Sequence, residues 1–377
     1  MYDESAPASV LRRAWPAGQT RTTLILLDWR NGITIMVMYG WNNLKKIIAI
    51  SPTMVEWPVL DCRALVERQR KTFRMEARFT CPAHRICISP STFEYLDEQD
   101  NMLWTSEADL RLWACIKAKG VKRESRMARD NSEDAVTWNV FRYLEANGLI
   151  GKFINSLAAK QISQNPRVVY WSFCQASQKP LPALIAAAST FGEDAHRRSE
   201  PDVILDDDNV LIFVESKVLA GNRTKASNPE NPKLYQTGGN SWFRTIFHRN
   251  ATFTKIAVEE RLYELMRFWL LGSWIAAQAG KKFLLVNVVR DGAKSERTIE
   301  ARFNAITQND PERAFVRCTW ERIYSEFVEP QAGSPNADRV GQYMRQKTLG
   351  YSSVSKGMQG KLRQAFNPAG SANGDQQ

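Results

Sequence analysis

Apolar and polar positions along the middle of this chain fall into a helix, strand, hairpin, helix, strand order. Residues 132–148, SEDAVTWNVFRYLEANG, carry Val136, Val140, Phe141 and Leu144 at helical spacing. Ser132 can cap that helix, Glu133 and Asp134 fill its first turn, and Asn147-Gly148 ends it. Residues 167–173, RVVYWSF, predict a strand. Two apolar runs at 203–205 and 210–214 then flank Asp206, Asp207, Asp208 and Asn209, the pattern of a β-hairpin. A long apolar helix is predicted over 258–279. Residues 282–289, KFLLVNVV, are almost uninterruptedly apolar, as expected of a strand buried on both faces.

Outside this middle the patterns are shorter. Residues 23–29 and 33–39 predict a hairpin about Arg30-Asn31-Gly32. The segment 63–78 sets six cations, Arg63, Arg68, Arg70, Lys71, Arg74 and Arg78, against Glu67 and Glu76, and reads as a basic helix, either solvated or touching DNA. The aromatic-rich run 91–113 predicts helix, turn and helix. Helix at 295–306, strand at 314–319 and helix at 320–327 follow the middle. Gly120 and the basic connector KAKGVKRESRMARD mark a boundary, dividing the chain into three parts. These are an N-terminal α+β region at 1–124, accessory or DNA-contacting; a core at 125–329; and a basic, partly disordered C-terminal extension at 330–377 with some helix.

The chemistry stands at the ends of the central hairpin. Asp202 opens its first strand and Glu215-Ser216-Lys217 closes its second, so the fold brings both carboxylates and the ammonium to one sheet edge. Alternation puts Glu215 and Lys217 on one face and turns the Ser216 side chain away. Two carboxylates so placed in a cleft cannot both stay ionised without a cation. Oxygen ligands from Asp202, Glu215, the Ser216 backbone carbonyl and water suit Mg²⁺, with Mn²⁺ able to substitute. Lys217 is placed to orient or help deprotonate a water and to offset charge developing on phosphate oxygens. Phosphodiester hydrolysis needs these parts.

Pro201-Asp202, the gap and Glu215-Ser216-Lys217, with the acidic helix start at Glu133-Asp134 before them, resemble the PD-(D/E)xK nuclease superfamily, the fold of many restriction endonucleases. The resemblance covers about residues 132–290. It implies an α/β restriction-endonuclease-like αβββαβ core, a mixed central sheet flanked by helices. It further implies that Asp202 and Glu215 bind metal, that Lys217 serves the water, and that Glu133, with Asp134 as second choice, is the supporting acid and a further metal ligand. A polar residue on the helix after the motif strand would be Gln236 or Lys233. The implied activity is that of a magnesium-dependent endodeoxyribonuclease of restriction or defence type leaving 5′-phosphate and 3′-hydroxyl ends. Two alternatives stand beside it: a non-catalytic nucleic-acid-binding protein with a degenerate nuclease fold, and a structure-specific nuclease of repair or recombination. In the blandest reading Asp202, Glu215 and Lys217 are a strand-end salt bridge.

Composition narrows the field. A formal charge of +11 over 377 residues favours a polyanion such as DNA, and 44% hydrophobic with 24% charged residues excludes wholesale disorder. Six scattered cysteines without a secretion signal read as reduced thiols of a cytoplasmic protein. No apolar run is long enough for a membrane span, so no membrane partner is expected, while a homodimer is left open. Gly-rich phosphate loops and nucleophile elbows are missing, which argues against nucleoside-triphosphate hydrolysis and serine esterase chemistry. Cys81, His84 and Cys87, with Cys62 or Cys115, lack the paired spacing of a zinc site. His196 reads as a loop residue, Asp206 to Asp208 as a solvated turn, and Trp242 with Phe243 as a core pair rather than a base-stacking platform.

Overall fold

The computed structural model describes residues 25–28, 32–35, 54–56, 64–67, 69, 76–81, 86–89, 91–119, 126–158, 166–194, 199–226, 231–351 and 362–366. Strands β1 (Ile25–Asp28) and β2 (Gly32–Ile35) form the hairpin expected about Asn31-Gly32, with Asp28 opposite Gly32. Strands β3 (Met54–Glu56) and β4 (Leu65–Glu67) pair antiparallel. The stretch expected as a basic helix therefore begins as a strand, and Arg78 sits in a single 3₁₀ turn at Ala77–Phe79. Arg63, Arg68, Arg70, Lys71 and Arg74 lie outside the described residues, as do Cys62, His84 and His196. A small antiparallel sheet follows, built of β5 (Thr80–Cys81), β6 (Ile86–Ile88) and β7 (Phe93–Tyr95). The first helix expected in 91–113 is thus a strand and a 3₁₀ turn, and only the second forms, as α1 (Glu107–Lys119).

The core begins with α2 (Glu133–Ala146), whose first turn is closed by Ser132 accepting from the Ala135 N–H, and α3 (Ile150–Ala158). Next come β8 (Arg167–Tyr170), β9 (Phe173–Cys174), α4 (Pro182–Thr190), β10 (Val203–Asp206) and β11 (Val210–Ser216). Helices α5 (Asn231–Ser241), α6 (Phe243–Ile246) and α7 (Tyr263–Gln278) lead to β12 (Lys282–Val289), α8 (Ile299–Asn304), β13 (Arg313–Thr319) and α9 (Trp320–Ile323). The chain ends in α10 (Pro335–Gln346) and the pair β14 (Thr348–Tyr351) and β15 (Leu362–Gln364).

Six strands make the central sheet in the order β13-β12-β11-β10-β8-β9. It is mixed: β11, β12 and β13 run parallel, and β10 is antiparallel to both β8 and β11. Joining β11 to a parallel β12 requires a crossover, which α7 supplies. Helices cover both faces, and the nearly unbroken apolar strands divide their side chains between two cores. Val203, Leu205, Ile212, Val214, Val286 and Val288 face the layer of α1, α2, α3, α9 and α10. Ile204, Leu211, Phe213, Phe283 and Leu285 face α4, α6, α7 and α8. Gly272 lets α7 lie directly on the sheet, since a Cβ there would fall 2.2 Å from the Phe283 ring.

Among the described residues, side chains from 102–116 and from 337–344, 365 and 366 share one hydrophobic cluster with the core. Asn139 of α2 accepts from the Leu103 N–H and donates to the Asn101 carbonyl. Lys347, 3% exposed, pairs with Asp130 at 3.3 Å and reaches Asn101. Phe366 is buried against Trp320. Expected as a basic tail, the described part of the extension packs into the core; residues 368–377, where disorder was expected, lie outside the described residues.

Candidate active site

Strand register carries the hairpin ends together. Val203 pairs with Val214, so Asp202 faces Glu215 across the end of the hairpin. The edge lies at the carboxyl ends of the parallel strands, where open α/β sheets place their binding crevices. Side chains alternate along β11, which puts Glu215 and Lys217 on the α7 face and Ser216 on the opposite one. Asp202 and Glu215 are 8% and 3% exposed, so neither is a solvated strand-end charge.

Each group is held by named partners. Asp202 Oδ2 accepts from the Ser216 N–H at 2.9 Å, and Oδ1 accepts from the Trp171 indole at 2.9 Å. Lys217 donates to Glu215 and, at 2.9 Å, to Glu264 in the first turn of α7. Its main chain is fixed on both sides, since Lys217 N donates to the Val288 carbonyl at 2.7 Å and Trp320 Nε1 donates to the Lys217 carbonyl at 3.1 Å. Glu133 accepts from the Val218 N–H, which brings α2 to the edge from the opposite layer. Of the two acids at that helix start, Glu133 is the one bonded to the residue after the motif.

Charge in this cluster is unbalanced. Lys217 interacts with four carboxylates, those of Glu215, Glu264, Asp202 and Glu133. Burial pulls its ammonium down, but the four acids overcome this and hold it well above the usual lysine range. Burial, then Glu264 and Asp202, push the Glu215 carboxyl well up, against the pull of Lys217. Burial likewise raises Glu133, again opposed first by Lys217. Glu264 goes the other way: burial would raise it, and the Lys217 ammonium outweighs burial and lowers it. A cluster of this kind takes up either protons or a cation.

The donor set fits a hard divalent ion. Asp202, Glu215 and the Ser216 carbonyl offer oxygen only, and Mg²⁺ is commonly held by one or two carboxylates with waters and phosphate oxygens completing its shell. Asp202 keeps acceptor capacity beyond the two N–H groups it binds. Among the described residues no group of three His, Cys, Asp or Glu side chains forms a metal cage of its own. Lys217 is a counter-ion to these acids.

Four residues at the site are absent from the sequence expectation. Trp171 was read inside one continuous strand; instead Trp171 and Ser172 turn with φ of 41° and 76°, separating β8 from β9 and aiming the indole at Asp202. Glu264 left only an acid in a helix first turn as its signal. Asn287 donates to the Glu215 carbonyl at 3.1 Å, and its signal was the one polar residue in the run FLLVNVV. Trp320 gave no signal. Lys233 and Gln236, expected as the helix polar residue, are exposed on α5, and the acid that reaches the motif comes from α7.

The other candidates settle into the fold. Only Asp208 of the aspartate triple is exposed: Asp206 pairs with Arg167 and with Lys281 at 2.7 Å, and Asp207 is buried and caps the turn through the Asn209 N–H. Phe243 is core, and Trp242 donates to Ser273 at 2.9 Å beneath the Arg313 guanidinium. Cys81, Cys87, Cys115, Cys174 and Cys318 are free thiols. No helix among the described residues is long and apolar enough to cross a membrane.

No protein-family profile matches this chain, and neither a curated protein nor a solved structure matches it.

Proposed function

We propose that this protein is a magnesium-dependent endodeoxyribonuclease with a restriction-endonuclease-like core, in which Asp202, Glu215 and the Ser216 carbonyl hold the metal. The observation that carries the reading is the buried excess of acid at the hairpin ends: Asp202, Glu215, Glu264 and Glu133 all act on Lys217, with Arg267 acting on Glu264 and Arg290 on Glu133 from outside the group. A divalent ion there supplies the Lewis acidity that polarises a phosphodiester and its attacking water. Lys217 orients the nucleophilic water and offsets charge gathering on the phosphate oxygens. Glu264 positions Lys217 by holding its ammonium from the helix side, and Glu133 fixes the turn after the motif through Val218. Trp171 and the Ser216 N–H aim the Asp202 carboxylate. The central order of α2, β8, β10, β11, α7 and β12 follows the αβββαβ pattern implied by the motif. The defence role rests on the resemblance alone.

A specific observation also favours a binding protein without turnover. Lys217 bonds Glu215 and Glu264, and each oxygen of Asp202 accepts a hydrogen bond, so the motif side chains have partners within the protein, as in a structural cluster. The two readings separate in one assay. Supercoiled and linear DNA are incubated with the protein and Mg²⁺; cleavage abolished by EDTA and by Lys217→Ala supports the nuclease. Tight binding without cleavage in Mg²⁺ or Mn²⁺ overturns it.

A further inference from the structure

An open pocket of about 430 Å³ is lined by Arg223, Arg261, Lys294, Ser295, Thr298 and Arg302, with Glu259 and Glu260 on its wall. Its volume lies in the range of small-molecule sites and far exceeds one phosphate group. The wall acids are already neutralised. Arg302 donates to Glu260 at 2.8 Å, and Lys255 lies 3.4 Å from Glu259. Arg223, Arg261 and Lys294 are exposed and form no ion pair among the described residues, so the pocket presents three uncompensated cations together with the Ser295 and Thr298 hydroxyls.

Each cation stands on a segment that also builds the acidic cluster. Arg223 follows Asn222, which is bonded to Asn287 at 2.8 Å, and Asn287 in turn binds the Glu215 carbonyl. Arg261 precedes Glu264 by less than a turn of chain, and its carbonyl accepts from the Thr224 N–H at 2.8 Å while Thr224 Oγ1 accepts from the Glu264 N–H at 2.9 Å. Lys294 adjoins buried Glu296, which accepts from Asn222. The same hydrogen bonds therefore fix the acids and the cations relative to one another. Arg261 also holds φ at 57°, a left-handed backbone that an arginine adopts only under constraint and that recurs at functional sites.

We infer that this pocket is a subsite for backbone phosphates of nucleic acid, binding the strand that runs past the hairpin ends. The inference rests on the nuclease reading only for the role of the neighbouring acids. Arg223, Arg261 and Lys294 bind phosphate without reading bases, so they set affinity and register along the strand. Carboxylates at the hairpin ends repel a polyanion, and three cations carried on the segments joined to them offset that repulsion.

The test is fluorescence anisotropy of a labelled duplex in EDTA, across a series of salt concentrations, with the full chain. The triple variant Arg223→Ala, Arg261→Ala, Lys294→Ala is compared with a control triple, Arg111→Ala, Lys152→Ala, Lys179→Ala, that removes the same charge from exposed positions elsewhere. Loss of three phosphate contacts lowers the slope of log affinity against log salt by about 2 to 3 and weakens binding about 10- to 100-fold. The control is expected to change the slope by less than about 1. Equal effects from the two triples overturn the inference, as does wild-type protein that binds inorganic phosphate but not duplex. Because binding is read without metal, a slope loss in a protein that never cuts DNA supports the pocket while overturning the nuclease, and cutting with no slope difference does the reverse.

Discussion

Trp171 and Asp202 are joined twice: the indole Nε1 donates to Oδ1 at 2.9 Å, and the main-chain N–H donates to the Asp202 carbonyl at 3.2 Å. The tryptophan is itself immobilised, stacked on Trp138 with an interplanar angle of 8° and packed edge-on against Trp113. Trp171→Phe keeps most of that packing and deletes the indole N–H. A hydrogen bond to a charged group contributes about 1.5 to 3 kcal/mol, so DNA cleavage should fall by about 10- to 100-fold. Affinity for DNA in EDTA should stay within about twofold of wild type. Parallel losses in cleavage and affinity would instead assign Trp171 to the fold.

Glu264 positions Lys217 and touches no substrate in the proposed scheme. Glu264→Gln removes one of the two carboxylates on that ammonium, and cleavage should fall by about tenfold or more. Glu264→Asp, which keeps the charge on a shorter arm, should recover part of the loss. A variant that cuts DNA at the wild-type rate would remove Glu264 from the mechanism.

The close approach of α7 to the sheet makes Gly272→Ala a packing test. The added methyl meets the buried Phe283 ring, with Phe213 next to it, and overpacking of this kind costs about 1 to 3 kcal/mol. Thermal unfolding should show the loss, and Gly280→Ala supplies a contrast, since a Cβ at Gly280 meets nothing within 4 Å and bears only the strain of its φ of +65°.

Lys347 gives the stability a pH dependence of known sign. Burial lowers its ammonium below the usual lysine range, opposed by Asp130. The folded protein then binds fewer protons than the unfolded chain between the lowered and the ordinary value, so this group makes stability rise with pH across that alkaline window. Urea unfolding between about pH 7 and pH 10 should show the wild type gaining on Lys347→Met as pH increases. Asp130→Ala leaves the ammonium buried and unpaired, and should cost about 3 to 5 kcal/mol at neutral pH.

The hairpin was legible because its chemistry is local. Strand alternation and a turn of aspartates were enough to bring Asp202 opposite Glu215. Capping placed Glu133 at a helix start, its role came from the resemblance, and the fold adds its bond to the Val218 N–H. Glu264 was not, because it is 47 positions from Lys217 and nothing in a first-turn acid says what it will meet. Trp171 was hidden by an apolar run that looks continuous yet breaks at two left-handed residues. The extension misled through composition: its cations suggest a solvated tail, whereas Lys347 is spent on Asp130, and Val340 with Met344, one turn apart, already marked a buried helix face.

Phe366 lies in the core beside Trp320, whose indole holds the main chain of Lys217. A chain lacking Phe366 would keep Asp202, Glu215, Lys217, Glu264 and Glu133 and lose a buried ring from the core that backs the Trp320 indole, so damage far along the chain would reach the motif through its main chain and not through its acids.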